Sequence, residues 1–391
     1  MENVYIIQAK RTPIGSFGKS LQSCSAVDLG EIVINSLFEE NTSLKQEVSE
    51  IYIGNVFKSG LKGNPARQLA IRTGLPIQTI AMTLDMQCAS GMAAFIQGAN
   101  RIQLGEADLV VVGGIESMSN VPYLALDARW GKRLGNTETV DALLHDGLVC
   151  AIENYHMGIT AENLVKRYGL SREAQDEYAF MSQQRAATAI QEHRFKREIV
   201  PVMVKERGSE RIIYQDEHPK ETSLERLAKL SPAFEAGGTV TAGNSSGLND
   251  GAAALLLASE KIVERLGLKP LAKVVSTASQ GVQPSIMGIG PVPAMLKALD
   301  KANLTMDAMD LVEINEAFAA QVLAVNTELN IPYEKLNVNG GAIALGHPVA
   351  ASGARIIVTL LHELQRQSLS KGIASLCVGG GMGSASILEL V

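Results

Sequence analysis

The chain has 391 residues and a formal net charge of −6. That length calls for two or three packed units rather than one simple core. Apolar residues at 46% against charged residues at 19% exclude a disordered chain, and the absence of a polybasic block argues against nucleic acid as a partner.

Along the chain, VYIIQA (4–9), EIYIGNV (50–56), TLDMQ (83–87) and DLVVVG (108–113) read as strands. Continuous Val and Ile suit strands buried on both faces. The stretch 91–104 places Met92, Phe95, Ile96, Ala99 and Ile102 on one side of a helix. Residues 119–245 break this pattern. They are polar and carry an amphipathic helix over 171–192, opened by Ser171. Residues 193–229 read as charged and irregular. Within them, 194–211 hold six Lys and Arg against three Glu, a solvated face or a contact for phosphates. A helix over 251–265 (GAAALLLASEKIVER) then returns the chain to the core.

The C-terminal part repeats the opening plan. DLVEINEA (310–317) matches EIYIGNV, and AASGARIIVTLLHEL (350–364) matches CASGMAAFIQGANRI (88–102). VVVGGIESM (110–118) and LCVGGGMGS (376–384) follow in turn. Asn55 falls opposite Asn315 and Cys88 opposite Ala350. A duplicated α/β unit is the simplest account. One half spans 1–118 and is completed by 246–268. Residues 119–245 form a covering insertion, and 269–391 form the second half. The opening segment does not read as a signal peptide, and no apolar run is long enough to cross a bilayer. A cytoplasmic protein with no membrane partner is expected.

The cysteines stand at 24, 88, 150 and 377 with no CxxC pair, so neither a metal site nor a disulfide framework is expected. Cys88 lies between a strand and a helix, where a helix N-terminus favours thiolate over thiol. His347, in GGAIALGHPVAASG, reads as a second strand-to-helix junction, related to the first by the repeat. Cys377 precedes VGGGMGS, whose backbone N–H groups suit an oxyanion. Asn315 ends another core strand. Two thiols, an imidazole and an amide at equivalent strand ends suit acyl transfer through a thioester. A competing motif is GNSSG (243–247), which fits a serine-hydrolase elbow with Ser245, Asp310 and His347 in the order of a triad.

At these residues the sequence closely resembles the thiolase family. The likeness runs through AKRTPIGSFGKSL (9–21), CASGM, HMGITAENL (156–164), TAGNSSGLNDGAAA (241–254), NEAFAAQ (315–321), GGAIALGHPVAASGAR (340–355) and CVGGGMGSA (377–385). It implies an α/β fold of two mixed five-stranded halves in an αβαβα core, with a loop domain over the active site. It also implies a homodimer or homotetramer. By matching motif, Cys88 would carry the acyl group, His347 would activate it, and Cys377 would take the α-proton of acetyl-CoA. Asn315 would hold a water that completes one oxyanion hole with His347. The backbone N–H groups of Cys88 and Gly379 would form the other. Leu148, His156, Met157, Phe234 and Ala242 would line the acyl and pantetheine groups. Ser246, Met287, Ala317 and Phe318 would complete that lining, with Ser246 against a pantetheine amide.

No metal or redox cofactor is implied. The partners are acetyl-CoA, acetoacetyl-CoA and CoA. His156 and Met157 resemble the short-chain type that joins two acetyl-CoA; a degradative 3-ketoacyl-CoA type of broader chain length in fatty acid β-oxidation is the alternative. Three residues depart from the family pattern. Asp85 stands for a common Asn, Ala350 for Gly and Ser245 for Ala, and Asp85 would raise the Cys88 pKa by like-charge repulsion.

Overall fold

The computed structural model describes residues 2–206 and 209–391. Strands β1 (Val4–Arg11), β2 (Glu50–Gly54), β3 (Ile80–Leu84), β4 (Leu109–Ser117) and β5 (Asn249–Ser259) form a mixed sheet in the order β3-β2-β4-β5-β1. β2 runs parallel to β3 and β4, while β5 is antiparallel to β4 and β1. The plan recurs in β6 (Ala272–Gly281), β7 (Leu311–Ile314), β8 (Lys371–Val378) and β9 (Met382–Leu390), ordered β7-β8-β9-β6. The place equivalent to β3 is taken by a single bridge from Val312 to Leu336. The halves join where Tyr5 and Ile6 of β1 face Lys273 and Ala272 of β6.

Two helices fill the space between the half-sheets: α3 (Ser90–Gln103) and α9 (Val349–Gln367). On the outer faces lie α1 (Ala26–Ser36) with α2 (Pro65–Arg72), and α7 (Pro291–Ala302) with α8 (Ala319–Leu329). This is a five-layer αβαβα stack. The period-2 alternation of a strand explains it. Val110, Val112, Leu255 and Leu257 point inward to Phe95 and Ile356, whereas Val111 and Leu256 point outward to the α1 layer. A strand packed on both faces needs apolar side chains at every position. The central helices approach closely because Gly91 and Gly353 leave room. A Cβ at Gly91 would lie 2.7 Å from the Ala350 carbonyl oxygen, and one at Gly353 would lie 2.6 Å from the Met92 nitrogen.

Three expectations shift. GAAALLLAS is a central strand, and only Glu260–Leu266 (α6) is helical. Ala and Leu favour helix locally, but two antiparallel neighbours and burial on both faces override that preference. The true helix start is marked by Ser259, whose side chain accepts from the Ile262 nitrogen. The strand read at 83–87 lies earlier, at Ile80–Leu84, on an exposed edge where burial does not mark it. The charged stretch after 193 is more regular than expected, with Val202–Glu206 paired antiparallel to Ser209–Ile213.

The insertion carries α4 (Met157–Tyr168) and α5 (Arg172–Gln191), the latter capped by Ser171 as read from the sequence. It is bound to the core by Arg11. That buried guanidinium donates to Glu198 at 2.6 Å and to both Asp216 oxygens at 2.6 and 2.9 Å. Among the described residues, no helix is long and apolar enough to cross a membrane.

Candidate active site

Cys88 sits one residue before the N-cap of α3 and keeps a face open to a cavity of about 480 Å³. The turn that delivers it is held by Ser90. Its hydroxyl donates to the Gln87 carbonyl at 2.7 Å and accepts from the Met86 nitrogen at 2.8 Å. Gln87 itself has φ +48, a conformation that a non-glycine residue adopts only when its surroundings impose it. Burial pushes the Cys88 thiol up to about 11, against the opposing pull of the Gly379 and Cys88 backbone N–H groups. The helix-end effect expected from sequence therefore loses to desolvation, and the resting group is a thiol.

His347 lines the same cavity. It does not follow a strand, as the repeat suggested, but the short helix Ala342–Leu345, and it pairs with Leu248 through one bridge. Its backbone nitrogen donates to Asn249 Oδ1 at 2.9 Å. Burial, then the charge of Arg355, lowers the imidazole pKa to about 4, so it rests neutral. Nδ1 lies 2.6 Å from Ser352 Oγ, and that hydroxyl donates to the Pro348 carbonyl at 2.9 Å. With its proton so used, Oγ accepts, which places hydrogen on Nδ1 and leaves Nε2 as the base. Nε2 is buried and has no hydrogen-bond partner among the described residues.

Cys377 and Asn315 stand just behind the cavity wall, both fully buried. Cys377 packs with Met157, Met287, Ala317 and Phe318. Burial first, and the neighbouring Cys88 second, push its thiol well above the ordinary range. Asn315 Nδ2 lies 3.5 Å from His347 Nδ1, beyond a good hydrogen bond, and its Oδ1 is buried with no partner among the described residues. The loop that carries Asn315 is held by Glu316, which accepts from Tyr178, Ser182, Asn337 and the Ile343 nitrogen.

Leu148, His156, Met157, Phe234, Ala242, Ser246, Met287, Ala317 and Phe318 all line the cavity, as does Gly379. His156 caps α4, its Nδ1 accepting from Gly158 N at 3.0 Å. Its ring stacks on Phe234 at 4.6 Å, and Phe318 meets Phe234 edge-on at 5.9 Å. A Cβ at Gly158 would enter the Phe234 ring at 2.2 Å, so glycine is what lets that ring lie flat on α4.

Sequence reading missed four contributors. Ser352 stands in the His347 motif itself, one helical turn on, and could have been found there. Glu116, a carboxylate inside an apolar strand, was also visible. His218 and Lys220 line the cavity but come from irregular chain with no motif. The basic run does not take their place: none of the described residues of 194–211 lines the cavity, and 207 and 208 lie outside the described residues.

The departures settle quietly. Asp85 pairs with Lys58 at 2.9 Å, and the carboxylate whose charge reaches Cys88 is Glu116 instead. Ala350 fits an apolar cluster with Val56, Phe57 and Val349. Ser245 donates to the Thr241 carbonyl at 2.6 Å, and Asp310 accepts from the Ser370 and Lys371 nitrogens. The serine triad does not assemble, because Ser352 occupies the place beside His347 Nδ1 that an acid would need. Among the described residues, no group of three or more His, Cys, Asp or Glu is placed to hold a metal ion.

Family models match nearly the whole chain: thiolase, N-terminal domain, over residues 4–261, and thiolase, C-terminal domain, over 268–390. The chain is 52% identical to the acetyl-CoA acetyltransferase of Escherichia coli over 392 aligned positions, covering 100% of this chain and 99% of that protein. The crystal structure of the Bacillus anthracis acetyl-CoA acetyltransferase superposes with a TM-score of 0.98 at 46% identity, covering 100% and 99% of the two chains. That of human mitochondrial 3-ketoacyl-CoA thiolase gives 0.97 at 42% identity, again covering 100% and 99%.

Proposed function

Because the chain belongs to the thiolase family, we propose that it joins two acetyl-CoA into acetoacetyl-CoA and CoA, reversibly, as an acetyl-CoA acetyltransferase. The observation that carries the reading is the pair at the cavity floor. The Cys88 thiol shares the pocket with the His347 imidazole, whose Nε2 has no hydrogen-bond partner among the described residues and is open to receive a proton.

In the first half-reaction Cys88 gives its proton to His347 Nε2 and attacks the thioester carbonyl. The oxyanion is met by the Cys88 and Gly379 N–H groups. The leaving CoA sulfur takes the Cys377 proton, and the acetyl group stays on Cys88. Cys377 is now a thiolate and His347 an imidazolium whose Nδ1–H is held by Ser352. In the second half-reaction Cys377 removes an α-proton from a new acetyl-CoA. The enolate oxygen is held by His347 and by a water on Asn315. The enolate carbon attacks the acetyl thioester, Cys88 leaves as thiolate and recovers its proton from His347. Cys88 and His347 return to their starting protonation, Cys377 ends with the α-proton in place of the one lost to CoA, and no step calls on a metal or redox group. Each well-placed oxyanion donor contributes about 3 kcal/mol to the transition state.

The His156–Phe234–Phe318 stack narrows the acyl end and supports a short acyl group. Likeness to the human 3-ketoacyl-CoA thiolase supports the alternative of a degradative enzyme of broader chain length. One assay separates them: acetoacetyl-CoA should be cleaved faster than 3-oxohexadecanoyl-CoA, and the reverse order would reject the short-chain reading. A role in lipid metabolism and a cytoplasmic location accompany this reading.

We also propose a homo-oligomer. β3 is an edge strand with Ile80 and Met82 exposed, and Ile71 and Ile77 exposed nearby. A second copy would cover that edge. Light scattering should give at least twice the chain mass, and a monomer at micromolar concentration would refute it.

A further inference from the structure

Glu116 is fully buried near the end of β4. Burial pushes its carboxyl up to about 8, against the Ala350, Phe57 and Val56 N–H groups that favour the charged form, so it is largely ionised by pH 9. A buried carboxylate is costly unless its oxygens are satisfied. Here the donors are neutral N–H groups from both halves of the molecule. Oε1 accepts from Asn55 Nδ2 at 2.8 Å and from the Phe57 nitrogen at 3.3 Å. Oε2 accepts from the Val56 nitrogen at 3.3 Å and the Ala350 nitrogen at 3.1 Å.

The last contact crosses the molecule. Ala350 lies in the first turn of α9, whose N-cap is Pro348 and offers no side-chain cap. The first N–H groups of a helix need acceptors, and its positive end favours an anion. Glu116 supplies both from the opposite half. The segment it holds begins directly after His347 and Pro348, and its negative charge also reaches Cys88.

We propose that Glu116 is a positioning residue for acyl transfer. Its carboxylate clamps the start of α9, and with it His347, against the half that carries Cys88. The inference rests on the thioester chemistry above. It acts through Ala350 and the Asn55–Phe57 segment, not on substrate.

Glu116→Gln tests it at nearly constant volume, since the amide nitrogen cannot accept. The kcat for acetoacetyl-CoA cleavage should fall about 10- to 100-fold, with KM held within about threefold. Alkylation of Cys88 by iodoacetamide at pH 9, where the Glu116 carboxyl is largely ionised, should meanwhile become faster, because the opposing charge is gone. Loosened folding would also expose the thiol, so the melting temperature is read in parallel and should stay close to the parent's, which separates a charge effect from loss of structure. Glu363→Gln is the control. That residue is also buried, on α9 itself about 20 Å beyond Ala350, and bonded to Asn339 and Arg366. Its kcat should stay within about twofold of the parent. If the glutamine variant does not fold, Glu116→Asp carries the test. It keeps the charge but loses reach, so kcat should drop while alkylation stays slow. Unchanged kcat in either Glu116 variant, or equal losses at Glu116 and Glu363, would overturn the proposal. An unmodified chain that fails to cleave acetoacetyl-CoA would instead overturn the functional reading, and the alkylation rates would still judge Glu116.

Discussion

The two halves share a plan but divide the chemistry unequally. Asn55 and Asn315 end equivalent strands, β2 and β7, and both are fully buried. Asn55 Nδ2 is consumed by Glu116 and the Ile115 carbonyl at 2.8 and 3.2 Å. Among the described residues, Asn315 Nδ2 has only a 3.5 Å approach to His347. One residue type at one structural position is thus a brace in the first half and an available amide in the second. The helix starts differ likewise. α3 presents Cys88 to the cavity, whereas α9 presents Ala350 to a buried carboxylate. Duplication supplies the scaffold, and the neighbouring side chains decide which copy does chemistry.

Substitutions should break this contrast in a graded way. Cys88→Ala removes the acyl carrier and should lower kcat by at least about 1000-fold in thiolysis of acetoacetyl-CoA. His347→Ala and Cys377→Ala each remove a proton-transfer group and should cost about 100- to 10,000-fold in kcat. For the paired asparagines, Asn315→Ala should cost about 100-fold in kcat with little change in melting temperature. Asn55→Ala should do the reverse, costing about 1–3 kcal/mol of stability by urea unfolding and sparing kcat relative to Asn315→Ala. Equal effects of the two would show that the halves are not specialised as described.

A smaller effect concerns pH. Burial lowers the His347 pKa to about 4, and burial together with Lys220 and Lys19 lowers that of His218 to about 4. The unfolded chain binds these protons near 6.5 and the folded chain does not. The share of stability linked to these two imidazoles is therefore intact above that pH and is lost progressively as pH falls from about 6.5 towards 4. Between pH 7 and 5 the parent's melting temperature should therefore fall relative to that of a His218→Gln variant, which has no such proton to bind, with activity outlasting the ordinary imidazole pKa; parallel curves would contradict this.

Much of this was legible in the sequence because its signals are local. The strand–helix repeat, the glycine run after Cys377 and the paired asparagines all announce buried strand ends. GAAALLLAS misled because its residues favour helix, and only its place in the middle of a sheet makes it a strand. The sign of the Cys88 pKa shift was likewise out of reach. A helix N-terminus is visible in sequence, whereas the loss of water around a sulfur is a property of packing. His218 and Lys220 reach the cavity only through the folding of the insertion, so no spacing could have marked them.

The most direct test is intact-mass analysis after mixing the protein with acetyl-CoA. A gain of one acetyl group, mapped to Cys88 and removed by free CoA, is expected. An acetyl group on Ser245, or none at any residue, would contradict the assignment of Cys88 as the acyl carrier.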